Sequence, residues 1–132
     1  MSPALEPGQP APDFTLPSTA GPVHLADLTA RGKVVLAFYA EDATNHQVVR
    51  DPVVGRDAIR EMFAREFSQA TMVCQIENLF QDGDWAILEW TDPNGLRGCG
   101  FLKILNDKIV YQRGYFNELS FLRLQGLPLP TQ

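Results

Sequence analysis

Cysteine and histidine are scarce in this 132-residue chain, with two of each. Cys74 and Cys99 lie far apart and lack the spacing of a metal-ligand set. The expected state is two free thiols in a cytoplasmic protein. Basic residues are outnumbered: 11 Lys and Arg against 16 Asp and Glu give a formal charge of −5. That balance argues against nucleic acid, whose phosphates require a basic face. No stretch approaches the ~20 apolar residues of a membrane span. The opening MSPALEPGQPAP lacks the apolar run of a signal peptide. Nucleophile motifs, phosphate-binding glycine loops, zinc spacings and internal repeats are missing. Nothing in the sequence asks for a metal or a cofactor.

What is present is the composition of a soluble globular domain: 45% apolar and 20% charged residues, in a chain long enough for one core. Its organising stretch is 83–116, which predicts three consecutive antiparallel strands: about Trp85–Thr91, Leu96–Leu105 and Ile109–Phe116. Asp92-Pro93-Asn94-Gly95 separates the first two, and Asn-Gly is a strong hairpin signal. Asn106-Asp107-Lys108 separates the second and third. Upstream, Ile59, Met62, Phe63 and Phe67 recur at helical spacing and predict a helix over 55–68, with Asp57 near its positive end. Shorter strands are expected over 44–49 and 72–80. The run KVVLAFYA at 33–40 fits either a strand or a buried helical turn. Residues 1–22 hold six of the ten prolines and read as an extended arm, leaving 23–132 as the folded domain. Asp27 is placed to cap a turn of helix, and Leu119–Leu124 is a short apolar piece.

From Tyr39 onward the chain resembles the nuclear-transport-factor-2-like superfamily, which includes SnoaL-like cyclases and ketosteroid-isomerase homologues. The residues that carry the likeness are YAEDAT (39–44), GRDAIREMF (55–63), DGDWAILEW (82–90), GCGFLKILNDKIVYQRGYFNE (98–118) and LSFLRLQGLP (119–128). The resemblance implies an α+β cone, with a curved, mixed but mainly antiparallel sheet packed on helices. It also implies a pocket for a small, lipophilic organic molecule, and a homodimer through the outer face of the sheet. Residues 7–44 are similar to the start of a peroxiredoxin, through PGQPAPDFTLPSTAGPVHLADL and GKVVLAFYAEDAT. Asn45, His46 and Gln47 stand where that family continues towards its peroxidatic cysteine, so no peroxide chemistry is implied.

Anchored on the pocket face that the resemblance implies, strand alternation points Trp85, Ile87, Glu89 and Thr91 inward. On the next strand it points Gly98, Gly100 and Leu102 inward, and on the third Val110, Gln112, Gly114 and Phe116. Leu88, Trp90, Phe101, Tyr111 and Tyr115 are then expected on the outer face. The steroid-isomerase residues do not transfer: the base position falls on Gln47, the oxyanion aspartate on Gly100, and the tyrosine belongs to a helix this chain lacks. The remaining acid–base candidates are Glu89, which a desolvated hollow would raise in pKa, and His46. Glu89 pairing with Arg97 or Arg113 is the alternative. Asn45, Gln47, Phe63, Trp85, Ile87, Gly100, Gln112 and Phe116 are the candidate ligand contacts. The expected function is a small-molecule pocket protein. The alternatives are an isomerase, cyclase or hydratase using Glu89 and His46, a non-catalytic dimerisation module, or an inactive redoxin remnant.

Overall fold

The structure, a computed structural model, describes residues 9–10, 12–17, 21–31 and 38–131. The chain divides into two compact units, Met1–Val35 and Leu36–Gln132. In the first, β1 (Thr15–Leu16) pairs antiparallel with β2 (Val23–His24), and α1 (Leu25–Thr29) follows at once. The Asp13 carboxylate accepts from the Ala26 amide at 3.1 Å, and the Leu25 amide donates to the Phe14 carbonyl at 3.0 Å. These bonds fold the arm back onto 23–29, so the chain divides at 35/36 rather than at 22/23. Asp27 sits within the first turn of α1, and His24 takes the N-cap position. Of the ambiguous run 33–40, residues 33–37 lie outside the described residues; Tyr39 and Ala40 open a strand.

The second unit is α+β. Its curved sheet has the order β4–β3–β8–β7–β6–β5, with β3 (Tyr39–Gln47), β4 (Val53–Val54), β5 (Gln75–Asp82), β6 (Trp85–Thr91), β7 (Arg97–Leu105) and β8 (Lys108–Phe116). β3 runs parallel to β8, and every other described pair is antiparallel. Helix α2 (Arg56–Gln69) lays Ile59 and Met62 on Ala43, with Tyr39, Ala40, Val53 and Phe63 around them. Burying side chains of that size contributes roughly 2 kcal/mol each. Helix α3 (Glu118–Gln125) covers the stretch read as a short apolar piece. Asn117 caps it by accepting from the Ser120 amide at 2.9 Å, and Gly126 closes it in the left-handed conformation.

Turn chemistry sets which side chains share a face. A two-residue Asn94-Gly95 loop would place Glu89 opposite Gly100. Instead only Gly95 has positive φ there, the Gly95 amide donates to the Asp92 carbonyl at 2.8 Å, and the Asp92 amide donates to Leu96. This longer turn sets Glu89 opposite Cys99. A slip of one residue exchanges the two faces of a strand. Ala86, Leu88 and Trp90 therefore share the face of Gly98, Gly100 and Leu102, the face that α2 packs on, and Trp85, Ile87, Glu89 and Thr91 lie on the other. The two-residue turn with positive φ at both positions is Asn106-Asp107. Asp92 also anchors its own turn. Its carboxylate accepts from the Val73 amide at 2.9 Å and the Asn94 amide at 2.7 Å, and these two bonds hold it below the usual carboxylate range.

Gly98 and Gly100 both face inward, with different tolerances. A Cβ on Gly98 would overlap the Trp90 ring and the Tyr115 carbonyl, whereas one on Gly100 would rest 3.6 Å from Leu88 in ordinary contact. Gly98→Ala is expected to cost about 2 kcal/mol through overpacking, and Gly100→Ala well under half of that. Urea denaturation of the two variants checks this; equal losses would show that the Trp90 ring gives way freely.

Candidate functional site

The parallel seating of β3 on β8 builds the polar part of the inner face. Asn45 pairs with Gln112 and Gln47 with Gly114 across that ladder. Tyr39, six residues before Asn45, lies on the same face and reaches both Gln112 and Asn45. The side chains then form a directional relay. The Tyr39 hydroxyl donates to Gln112 Oε1, Asn45 Nδ2 donates to the Tyr39 hydroxyl at 3.4 Å, and Gln47 Nε2 donates to Asn45 Oδ1 at 3.2 Å. Asn45 is 1% exposed, and a buried amide is stable only when its groups are paired. Burial pushes the Tyr39 phenol up to about 12, with the Asn45 hydrogen bond opposing the shift.

On the β4 side of this relay lies a cavity of about 190 Å³. Asn45 and Gln47 lie at its floor, with Met62 of α2 and Val53 beside them, and Arg50, Asp51, Arg65 and Glu66 line it with charge. Arg50, in the β3–β4 turn, meets Glu66 at 2.6 Å and Glu118 at 3.6 Å, joining the turn to both helices. A second, open groove of about 450 Å³ is lined by Val48, Glu89, Arg97, Cys99, Tyr115, Phe116 and their neighbours.

The structure brings Asn45, Gln47 and Gln112 together through Tyr39 and separates the other candidates. Phe63 is a core residue, 6.4 Å from the Tyr39 ring and 5.7 Å from Phe67. Gly100 is buried between Leu88 and Gly114 on the inner face, away from the cavity. Phe116 stacks edge-on against Phe121 at 5.8 Å, beside the open groove. Trp85, Ile87, Glu89 and His46 all lie on the outer face. Glu89 accepts from Asn78 at 2.8 Å, and Arg97 pairs with Glu77. His46 Nδ1 is 3.5 Å from the Tyr111 hydroxyl. Three strand spacings of ~4.8 Å separate His46 on β3 from Glu89 on β6, about 14 Å. The two titratable groups thus share no hollow. Sequence reasoning missed Tyr39, Arg50, Met62 and Arg65. The period-two pattern Ala43, Asn45, Gln47 was visible, but Tyr39 was hidden inside the ambiguous run.

The outer face carries a cation among rings. The Arg113 guanidinium lies 5.1 Å from the Phe101 ring centre, 5.7 Å from Tyr115 and 5.9 Å from Trp85, and Lys103 is 6.0 Å from Trp85. Arg113 Nε is buried and finds no acceptor among the described residues. Both cysteines are free. Desolvation first, and the Asp92 carboxylate second, push the Cys74 thiol up to about 11, so it is protonated at neutral pH. Among the described residues no group of three His, Cys, Asp or Glu side chains is disposed to hold a metal, and no helix is long and apolar enough to cross a membrane.

A SnoaL-like domain family matches residues 12–112. No curated protein matches the chain. Among solved structures, a hypothetical protein of Catenulispora acidiphila with a ketosteroid isomerase-like fold, in complex with trimethylamine, superposes with a TM-score of 0.62 at 20% identity, covering 69% of this chain and 78% of that one. An LEH-like epoxide hydrolase of M. tuberculosis gives 0.56 at 17% identity, covering 66% and 71%. An NTF2-like protein of unknown function from Burkholderia pseudomallei gives 0.56 at 15% identity, covering 65% and 78%. At these identities the likeness is one of fold.

A phenol whose folded pKa exceeds its unfolded value of about 10 favours the fold while it is neutral. Its contribution is complete below pH ~10 and is lost as pH rises through about 12. Stability is expected to fall across that window by about 2 kcal/mol, and Tyr39→Phe to flatten the slope. Denaturation at stepped alkaline pH measures both proteins; an equally steep slope in Tyr39→Phe would refute the assignment.

Proposed function

We propose a small-molecule binding role for this chain, which belongs to the SnoaL-like domain family. The observation that supports it is a cavity lined by Asn45 and Gln47, two members of a buried hydrogen-bond relay. A few placed polar groups in a concave site are what orient a bound molecule. At about 190 Å³ the cavity is smaller than the ~300 Å³ lower bound for drug-sized ligands, so the occupant is small and polar rather than a steroid.

The reading is of binding rather than turnover. Acid–base chemistry by Glu89 and His46 would need both groups at one substrate, and the register sets them three strands apart. The peroxiredoxin-like stretch at 7–44 has no redox part in this reading, because Asn45, His46 and Gln47 follow it in place of a thiolate. Val53→Phe, which fills the cavity from β4, is expected to weaken any fragment found by NMR screening more than tenfold. Unchanged binding with an unchanged circular dichroism spectrum would remove the cavity from the function.

A homodimer through the outer face is the second part of the reading. Trp85, Ile87, Phe101, Tyr111 and Tyr115 make that face too apolar to stay in water. It carries Arg97, Lys103 and Arg113 together with Glu77 and Glu89, so a second copy turned by a two-fold axis meets it with complementary charge. Phe101→Glu is expected to convert a dimer to monomers in sedimentation velocity, and a monomeric wild-type chain would dismiss the interface.

A further inference from the structure

The strand ladder rules the outer face into levels. Glu89 stands level with Cys99 and Tyr115. Arg113 stands one level on, with Ile87 and Phe101, and Asp82 and Lys103 one further, with Trp85. Over these levels charge is sorted by strand. The acids Asp82 and Glu89 are on β5 and β6, and the cations Lys103 and Arg113 are on β7 and β8. His46 follows beyond Arg113 on β3, so the ring that can gain charge is on the cationic side. None of the four charged side chains enters an ion pair among the described residues. Glu89 accepts from the neutral Asn78 amide, and both cations lie over rings. At the margin of the face Arg97 and Glu77 pair with one another.

A two-fold axis that packs this face on a second copy lies in the plane between them, and its direction decides which charges meet. An axis across the strands would lay β6 on β6 and β8 on β8, acid against acid and cation against cation. An axis closer to the strand direction exchanges the two halves of the face, so that β5 and β6 of one copy cover the cationic side of the other. Glu89 and Arg113 are two strands and one level apart, roughly 12 Å at ~4.8 Å per strand and ~3.4 Å per residue. Their midpoint falls on β7, between Cys99 and Phe101. An axis through that point, at right angles to the line joining them, sets the Glu89 of each copy over the Arg113 of the other. The same turn carries Lys103 over Phe80 of the second copy, beside Asp82. Packed sheets lie ~10 Å apart, within the combined reach of a glutamate and an arginine. Like charges brought together across an interface are strongly disfavoured, so the sorted face selects one axis.

We propose that the homodimer is built about this axis, with Glu89 of each copy meeting Arg113 of the other, and Lys103 reaching the second copy's Asp82. The proposal rests on the outer face being the dimer interface, as argued above, and adds which parts of that face meet.

The test reverses charge in the full chain and follows dimerisation by sedimentation velocity over a dilution series, with circular dichroism reporting the fold. Glu89→Arg and Arg113→Glu are each expected to weaken the dimer more than tenfold, and the two together in one chain to recover most of that loss. With an axis across the strands like already faces like, and a single reversal only exchanges one repulsion for another. Single variants that dimerise as the wild type does, or a double variant no tighter than the singles, would therefore overturn the axis while the dimer stands. A second measurement leaves the charges native. Arg113→Lys is mixed in equal parts as isotopically light and heavy chains and coupled with a carbodiimide. The expected product joins Glu89 of one chain to position 113 of the other; coupling of Glu89 to position 113 only within a chain counts against the axis. A monomeric wild-type chain removes the dimer reading and this one with it.

Discussion

The structure of the second unit depends on one parallel contact in a sheet that is otherwise antiparallel. β3 pairs with the sheet at the edge of β8 that β7 leaves free. In that position Asn45 comes opposite Gln112 and Gln47 opposite Gly114. The glycine leaves room over β8 for the Gln47 amide, which a Cβ there would displace. Three amides and a phenol are thus gathered on a face that would otherwise be aliphatic. Because each is paired, the desolvation of Asn45 is tolerated.

How much of this was legible follows from which interactions are local. The strands at 85–91, 97–105 and 108–116 could be read from alternation and turn residues, because both are properties of neighbouring positions. Helix α2 was readable for the same reason, through Ile59, Met62, Phe63 and Phe67. Which face β6 shows was not readable, since it turned on one residue. Asn94-Gly95 looks like a two-residue loop, yet Asp92 gathers the Val73 and Asn94 amides and makes the turn one residue longer. The Val73 amide comes from nineteen residues away, so no local rule could have supplied it. That single residue moved Trp85, Ile87 and Glu89 to the outer face and brought Leu88 and Trp90 inward. Helix α3 was misread for a simpler reason: Asn117 and Gly126 are ordinary cap residues, but the apolar piece between them was too short for its period to show.

The candidate site divides along the same line. Gln112 was named from strand alternation, and Asn45 and Gln47 from the positions that the resemblance assigns. Tyr39 was missed because its partner Gln112 is seventy-three residues away and its own strand begins inside a run that fits two structures. Arg65 was missed because a charged residue on a helix reads as solvated. Only the fold of the β3–β4 turn against α2 shows that it borders enclosed space.

The two faces of the sheet now carry opposite arrangements of the same ingredients, and the contrast bears on function. On the outer face a cation lies among rings, its Nε buried and without an acceptor among the described residues. On the inner face the buried amides and phenol complete one another beside a small cavity. The dimer reading draws on the first face and the ligand reading on the second, and neither draws on the acid–base pair that the sequence first suggested.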